Sequence, residues 1–198
     1  MSSMFRVCLL VTLLFPLCAA TAQSTNSNRV AIVKAALAQV GVTTHYDPAY
    51  TRLAYPGGDV PRERGVCADV IVRAFRAVGI DLQTLVHDDM QKNFAAYPQQ
   101  WKLKKPDPNI DHRRVLNLET YFARDGKAVA ITDKASDYLP GDIVSWRLSN
   151  NLPHIGLVGA ATTRAGRPLV IHNIGAGAQQ EDVLFAWKIA GHFRCCDR

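Results

Sequence analysis

Cys67, His154 and His172 are the residues of this chain whose types and order could do covalent chemistry. Cys67 lies at the mouth of Gly65-Val66-Cys67-Ala68-Asp69-Val70-Ile71-Val72-Arg73-Ala74-Phe75. There Val66, Val70, Ile71, Ala74, Phe75 and Val78 recur at helical spacing and Gly79 closes the run. A thiol in the first turn of a helix meets unpaired N–H groups and the positive end of the helix dipole, and both lower a cysteine pKa. His154 opens an apolar strand and His172 closes another. A histidine at a strand start that meets the helix start would take the thiol proton and return it to a leaving amine. Thr162 to Arg167 can turn a hairpin, which brings His154 and His172 to one end of an antiparallel ribbon. His172 would then hold His154 in its productive tautomer. Asn173 is the rival for that role; side chains alternate along a strand, so only one of the two faces the site, and His172 is favoured. The bland readings stand beside these: a buried inert cysteine and two packed histidines.

The elements that must position these groups follow from the rest of the pattern. Asn28 to Val40 is Ala-rich and helical, with Gly41 as its stop. Thr43 to Gly58 is aromatic and turn-rich and leads into the Cys67 helix. A further helix is expected from Asp81, its N-cap, to Tyr97, and a shorter one from Val115 to Arg124. The last third turns β-branched and apolar, with strands expected over Asp142–Leu148, His154–Ala160, Pro168–Asn173 and Phe185–Arg194. Helices first and a strand meander after is an α+β layout, antiparallel because the connections are too short for crossover helices.

Of the 198 residues, the first 22 read as a secretory signal peptide: Arg6 as the charged region, Val7 to Leu17 as the apolar stretch, and Ala20-Thr21-Ala22 as the cleavage pattern. Leu17 stands where a lipid-attachment signal would have a small residue before Cys18. No later stretch is long and apolar enough for a bilayer, so no stable membrane anchor is expected after cleavage. Residues 23–27 are polar and expected to be a flexible N-terminus; residues 28–198 form one domain, periplasmic or secreted. Cleavage leaves Cys67, Cys195 and Cys196, too few for a disulfide framework. Cys195 and Cys196 are either paired, with each other or between molecules, or simply reduced.

The formal charge of +6 falls to about +5 without Arg6. It suits an anionic polymer such as a cell wall, an acidic membrane surface, or simple solubility. The chain has no arginine-rich run and no basic stripe interleaved with aromatics, so no nucleic acid partner is expected. Neither His-Glu-x-x-His nor paired Cys-x-x-Cys occurs, so no metal is expected. Gly175-Ala176-Gly177-Ala178 lacks the lysine and helix of a phosphate loop, and no cofactor is implied.

The phrases Val66-Cys67-Ala68-Asp69-Val70-Ile71-Val72, Pro140-Gly141-Asp142-Ile143-Val144-Ser145-Trp146, Pro153-His154-Ile155-Gly156-Leu157-Val158 and Val170-Ile171-His172-Asn173 resemble, in order, the motifs of NlpC/p60-type cysteine peptidases. More closely, Tyr55-Pro56-Gly57-Gly58-Asp59-Val60-Pro61, Asn109-Ile110-Asp111-His112-Arg113-Arg114 and His172-Asn173-Ile174-Gly175 resemble the bacterial exported family of domain of unknown function 1287, which is grouped with that superfamily. The resemblance runs over nearly all of residues 28–195. It implies a papain-like α+β core, N-terminal helices packed on a C-terminal antiparallel sheet, with Cys67 as nucleophile, His154 as base and His172 as orienting residue. It also implies hydrolysis of amide bonds in peptidoglycan stem peptides, with peptidoglycan or muropeptides as partner. The usual helix of the wider family opens Asp-Cys-Ser-Gly, whereas Cys67 here stands between Val66 and Ala68-Asp69. Tyr46 and Tyr55 are the candidates for that family's N-terminal tyrosine.

Candidate substrate residues complete the reading. Asp69 lies two residues past Cys67 and is not its base; it binds a substrate amine, caps the helix or pairs with an arginine. Asp111, His112, Arg113 and Arg114 cluster in a Pro-rich loop. Guanidinium forks suit the carboxylates of stem peptides, so this loop, with Tyr55 and Asn173, is the expected substrate surface, or else a solvated helix flank. The rival functions are a catalytically silent wall-binding module and a thiol hydrolase of acyl or lipid esters, the latter requiring an apolar cleft without Arg113 and Arg114.

Overall fold

The computed structural model describes residues 17–195. Most of the expected signal peptide, including Arg6, lies outside the described residues, as does Cys196. Helix α1 (Leu17–Leu37) includes Gln23–Ser27. No glycine or proline interrupts Leu17–Val40, and Ala19, Ala20, Ala22 and Gln23 are strong helix formers. Among the described residues no helix is long and apolar enough to cross a membrane.

Two-residue strands β1 (His45–Tyr46) and β2 (Arg64–Gly65) pair in parallel, with Tyr46 opposite Gly65. Helix α2 (Cys67–Arg76) begins at the thiol itself. Its N-terminus is closed by Asp69, whose Oδ2 accepts the Val66 N–H at 2.6 Å. That approach needs Gly65, where a Cβ would stand 3.0 Å from Asp69 Oδ2. Helix α3 (Leu82–Asn93) is capped by Asp81, which accepts from the Gln83 N–H and the Thr84 hydroxyl. It ends before the expected Tyr97 because the chain tightens into a 3-10 turn over Phe94–Ala96. Helix α4 (Val115–Arg124) has the expected bounds.

Strands β3 (Ile143–Arg147), β4 (Pro153–Thr162), β5 (Pro168–Asn173), β6 (Ala178–Glu181) and β7 (Lys188–Phe193) form one antiparallel sheet, ordered β6-β5-β4-β3-β7. Strand β6 is the element the sequence pattern does not announce. Alternation along the strands divides the core in two. Ile143, Ile155, Leu157 and Ile171 pack against Val70, Ile71 and Phe75 of α2 with Ile32, Leu118 and Phe122. Val144, Trp146, Val158 and Val170 face the other way, under Tyr138 and Leu184. Val70, Ile71 and Phe75 are fully buried, each contributing about 1.5–3 kcal/mol, and this burial fixes α2 on the sheet. The α+β layout implied by the resemblance, with helices on a C-terminal antiparallel sheet and a cysteine at a helix start, is the one observed.

Asp142 holds the opening of the sheet. Fully buried, it accepts from the Leu139 N–H at 2.8 Å, from His192 at 2.9 Å, and from Arg29 and Arg194. Burial opposes its charge, but Arg194 and the other donors hold its pKa below the usual carboxylate range.

Candidate active site

Cys67 is buried at the floor of a cavity of about 230 Å³ lined by Tyr46, Trp101, Arg113, Arg114, Leu116 and Pro153 among others. A larger cavity of about 450 Å³ does not include the thiol; its arginines Arg73 and Arg76 are paired with Asp59 and Asp81. The helix start was expected to lower the Cys67 pKa, but the balance runs the other way. Burial pushes the thiol up to about 11, against the Ile155 N–H and the first N–H groups of α2, and neighbouring Asp69 adds to the rise. The resting group is a thiol. Tyr46 faces it across the β1–β2 pairing, and its phenol is held protonated, first by burial and then by the Cys67 sulfur. Tyr46, not Tyr55, is the tyrosine at the thiol.

His154 and His172 meet as the hairpin argument requires. The register pairs Leu157 with Ile171, which places the two histidines on one face of the ribbon and diagonal to each other. Gly156, directly opposite His172 in this register, leaves room for the close approach of Val170 and His172. A Cβ there would stand 2.7 Å from Val170 Cγ1 and 3.2 Å from His172 Cβ. His154 Nε2 lies 2.9 Å from His172 Nδ1, and His172 Nε2 lies 2.9 Å from Glu181 Oε2. Trp146 stacks on His154, and Trp187 meets both rings edge-on at 5.8 and 6.3 Å between centroids. Burial within this aromatic wall drives the His154 pKa down to about 3, with His172 a second cause; His172 is lowered too, by burial, against the pull of Glu181.

The imidazole pair and the thiol reach the same end of the sheet from different sides. His154 and His172 share the face of Val158 and Val170, whereas Ile155 points to α2 and its N–H to the sulfur. Among the described residues no direct hydrogen bond joins the Cys67 thiol to the His154 ring, and His154 Nδ1 takes no protein partner. Asn173, one residue on, faces the other way from His172. Its amide donates to the Gly65 carbonyl at 3.0 Å and so tethers β5 to the strand before Cys67.

The remaining expected site residues divide clearly. Arg113 is locked: its fork donates to both oxygens of Asp69 at 2.9 and 3.0 Å and to the carbonyls of Ala49 and Asp47 at 3.2 Å each. Asp69 is therefore both helix cap and arginine partner. Arg114 is mostly buried, its side chain 18% exposed; its guanidinium lies 4.1 Å over the ring of Trp101 and 3.9 Å from Asp111 Oδ1, with the buried Nη1 making no hydrogen bond. Asp111 is buried behind it and accepts from the Asp107 N–H; burial raises its pKa to about 6. His112 is buried, its pKa pushed down to about 4 by desolvation. Tyr55 sits elsewhere, its hydroxyl donating to Asp88 at 3.1 Å and its ring edge-on to His87. Trp101, Trp187 and Glu181 were not singled out from the sequence. The only hint of Glu181 is a polar run, Gln179-Gln180-Glu181, after two glycines.

Residues 33–195 match the family described as "Domain of unknown function (DUF1287)". The chain belongs to this family. It is similar to the "Uncharacterized protein YijF" of Escherichia coli (strain K12), 63% identical over 169 residues that cover 85% of this chain and 82% of that one. Among solved structures it is similar to one titled "Structure of NlpC1 from Trichomonas vaginalis", with a TM-score of 0.46 and 14% identity over 85% of this chain. The match covers 44% of that structure's chain, so this chain spans less than half its length.

Within this DUF1287 chain, Cys195 is buried, and the expectation for Cys195 and Cys196 as a pair falls partly outside the described residues. Cys67 makes no disulfide. No group of three or more His, Cys, Asp or Glu among the described residues is arranged to hold a metal ion.

Proposed function

We propose that this protein is an exported cysteine hydrolase that cleaves amide bonds in peptidoglycan stem peptides. The observation that carries the reading is the thiol at the start of α2 beside the strand that brings His154 onto His172. Cys67 Sγ attacks the amide carbonyl carbon while its proton passes to His154 Nδ1. The N–H groups at the helix start face the developing oxyanion. His154 then protonates the departing amine, and water hydrolyses the thioester with His154 as base. Because resting Cys67 is a thiol, proton transfer accompanies attack. The ring and thiol must close on each other when substrate enters, as catalytic contacts are often loose without it.

Arg114 supports a peptide substrate over an acyl or lipid ester. Its guanidinium, stacked on Trp101 with Nη1 making no hydrogen bond, lines the thiol cavity and offers a stem-peptide carboxylate a charged partner there. The basic charge and the expected leader agree with a wall in the periplasm or outside the cell as the working place.

The test is mass spectrometry of muropeptides after incubating protein with purified peptidoglycan, beside Cys67→Ala. New fragments that require Cys67 are expected, and their masses name the bond cut. A folded protein that releases none, over several wall chemistries, overturns the reading. A second reading, the silent wall-binding module, is favoured by the raised Cys67 pKa and by the missing thiol–imidazole hydrogen bond. It predicts wall retention with no fragments.

A further inference from the structure

We propose that Glu181 is a positioning residue that fixes the tautomers of both histidines, so that His154 offers the lone pair of Nδ1 to the Cys67 thiol. The proposal rests on the reading of Cys67 as nucleophile and His154 as base, and it adds a residue that reading does not contain.

The argument follows the protons. A carboxylate only accepts, so the 2.9 Å contact from Glu181 Oε2 to His172 Nε2 requires the proton on Nε2. Neutral His172 then carries its lone pair on Nδ1. The 2.9 Å contact from that atom to His154 requires a proton on His154 Nε2. The lone pair of His154 is thereby left on Nδ1, the ring atom without a protein partner. One carboxylate therefore sets the orientation of two imidazoles in sequence. When Nδ1 takes the thiol proton, both existing N–H groups remain donated, His154 becomes the cation, and Glu181 supplies the nearest carboxylate charge along the chain of hydrogen bonds.

The fold holds Glu181 where this requires. Strand β6 pairs with β5 with Gln179 opposite His172 and Glu181 opposite Val170, which puts Glu181 one diagonal step from the ring. The turn before it uses Gly177 at φ 86°, where a Cβ would fall 2.4 Å from the Thr43 carbonyl; the Ala178 N–H donates to that same carbonyl at 2.7 Å. The loop leading to Tyr46 thus anchors the hairpin that carries Glu181. Glu181 itself is half-exposed on an edge strand, so a substitution there costs the core little.

The experiment is long-range proton–nitrogen NMR of full-length protein labelled with ¹⁵N-histidine, comparing wild type, Glu181→Gln and Glu181→Leu. Both site histidines of the wild type are expected in the Nε2–H form. Glu181→Gln keeps that form, because its amide oxygen still accepts, and Glu181→Leu populates the Nδ1–H form. On a muropeptide substrate, Glu181→Leu is expected to lower kcat by about 10²-fold with KM unchanged, and Glu181→Gln to recover most of it. A wild-type His154 found as Nδ1–H, or tautomers unmoved by Glu181→Leu, overturns the proposal. If the tautomers switch as expected but wild type releases no fragment, the hydrolase reading fails and the positioning role stands.

Discussion

Replacing Arg113 by alanine should unfold the protein more readily before it affects any substrate. The Arg113 side chain is 1% exposed and that of Asp69 4%, so neither charge is compensated by solvent. The substitution leaves a buried carboxylate facing no cation and two carbonyls, of Asp47 and Ala49, without their donors. Breaking a buried pair from one side costs about 3–5 kcal/mol. With an m-value of about 2 kcal/mol/M, the midpoint of urea unfolding should fall by about 2 M. Arg114→Ala, which removes a contact over Trp101 and a 3.9 Å approach to Asp111, should cost no more than about 1 kcal/mol. The paired replacement Asp69→Leu with Arg113→Met should recover only part of the loss: it removes the stranded carboxylate, but the Val66 N–H and the Asp47 and Ala49 carbonyls stay without their partners. The assay is equilibrium urea unfolding followed by tryptophan fluorescence. An Arg113→Ala protein of near wild-type midpoint that fails to retain muropeptides would refute the clamp and return Arg113 to the substrate surface.

Two further predictions concern protonation. Alkylation of Cys67 by iodoacetamide should rise with pH toward an inflection near 11; against an ordinary thiol, the two-unit shift makes the reaction about 100-fold slower at neutral pH. A rate already level below pH 7 would mean a thiolate–imidazolium pair and contradict the neutral resting state. Stability between pH 4 and 6 should depend on four buried groups, three histidines and one aspartate, of opposing sign. His112 and His154, lowered to about 4 and 3, stay neutral in the fold while the unfolded chain protonates them, so stability falls as pH drops below about 6.5; His172, lowered in the same direction, adds to this. Asp111, raised to about 6, binds a proton in the fold that the unfolded chain releases, so its contribution is lost as pH rises toward 6. Asp111→Asn removes that opposing proton, and its pH–stability slope should exceed the wild-type slope by about 1.4 kcal/mol per pH unit in this window. Thermal unfolding across the window checks it, and parallel slopes would mean that Asp111 is already charged in the fold at pH 5.

What could be read from the sequence is what short-range pattern encodes. The α2 face, the Asp81 cap and the hairpin that joins His154 to His172 each follow from spacing within a few residues, and each stands in the structure. The protonation state of Cys67 does not follow from such spacing. The helix start acts through local N–H groups, but burial is a property of the tertiary fold, in which Tyr46, Trp101 and Arg113 arrive from three other segments to line the cavity at the thiol. Arg113 and Arg114 make the same point at one step of sequence. They are chemically alike and adjacent, yet one fork is taken by an aspartate 44 positions earlier and the other is stacked on an indole.

Strand β6 is illegible for a related reason. Ala178–Glu181 has a single apolar residue and no alternating pattern, and its extended form is imposed by β5 on one side and by the Thr43 carbonyl at its start. A strand held by pairing alone is free to carry polar side chains, because its residues are not needed to fill the core. This same freedom lets β6 present a carboxylate to His172. Apolar strands β5 and β4, whose side chains are committed to packing on α2 or on Trp146, could supply the histidines at their ends but not the acceptor that orients them.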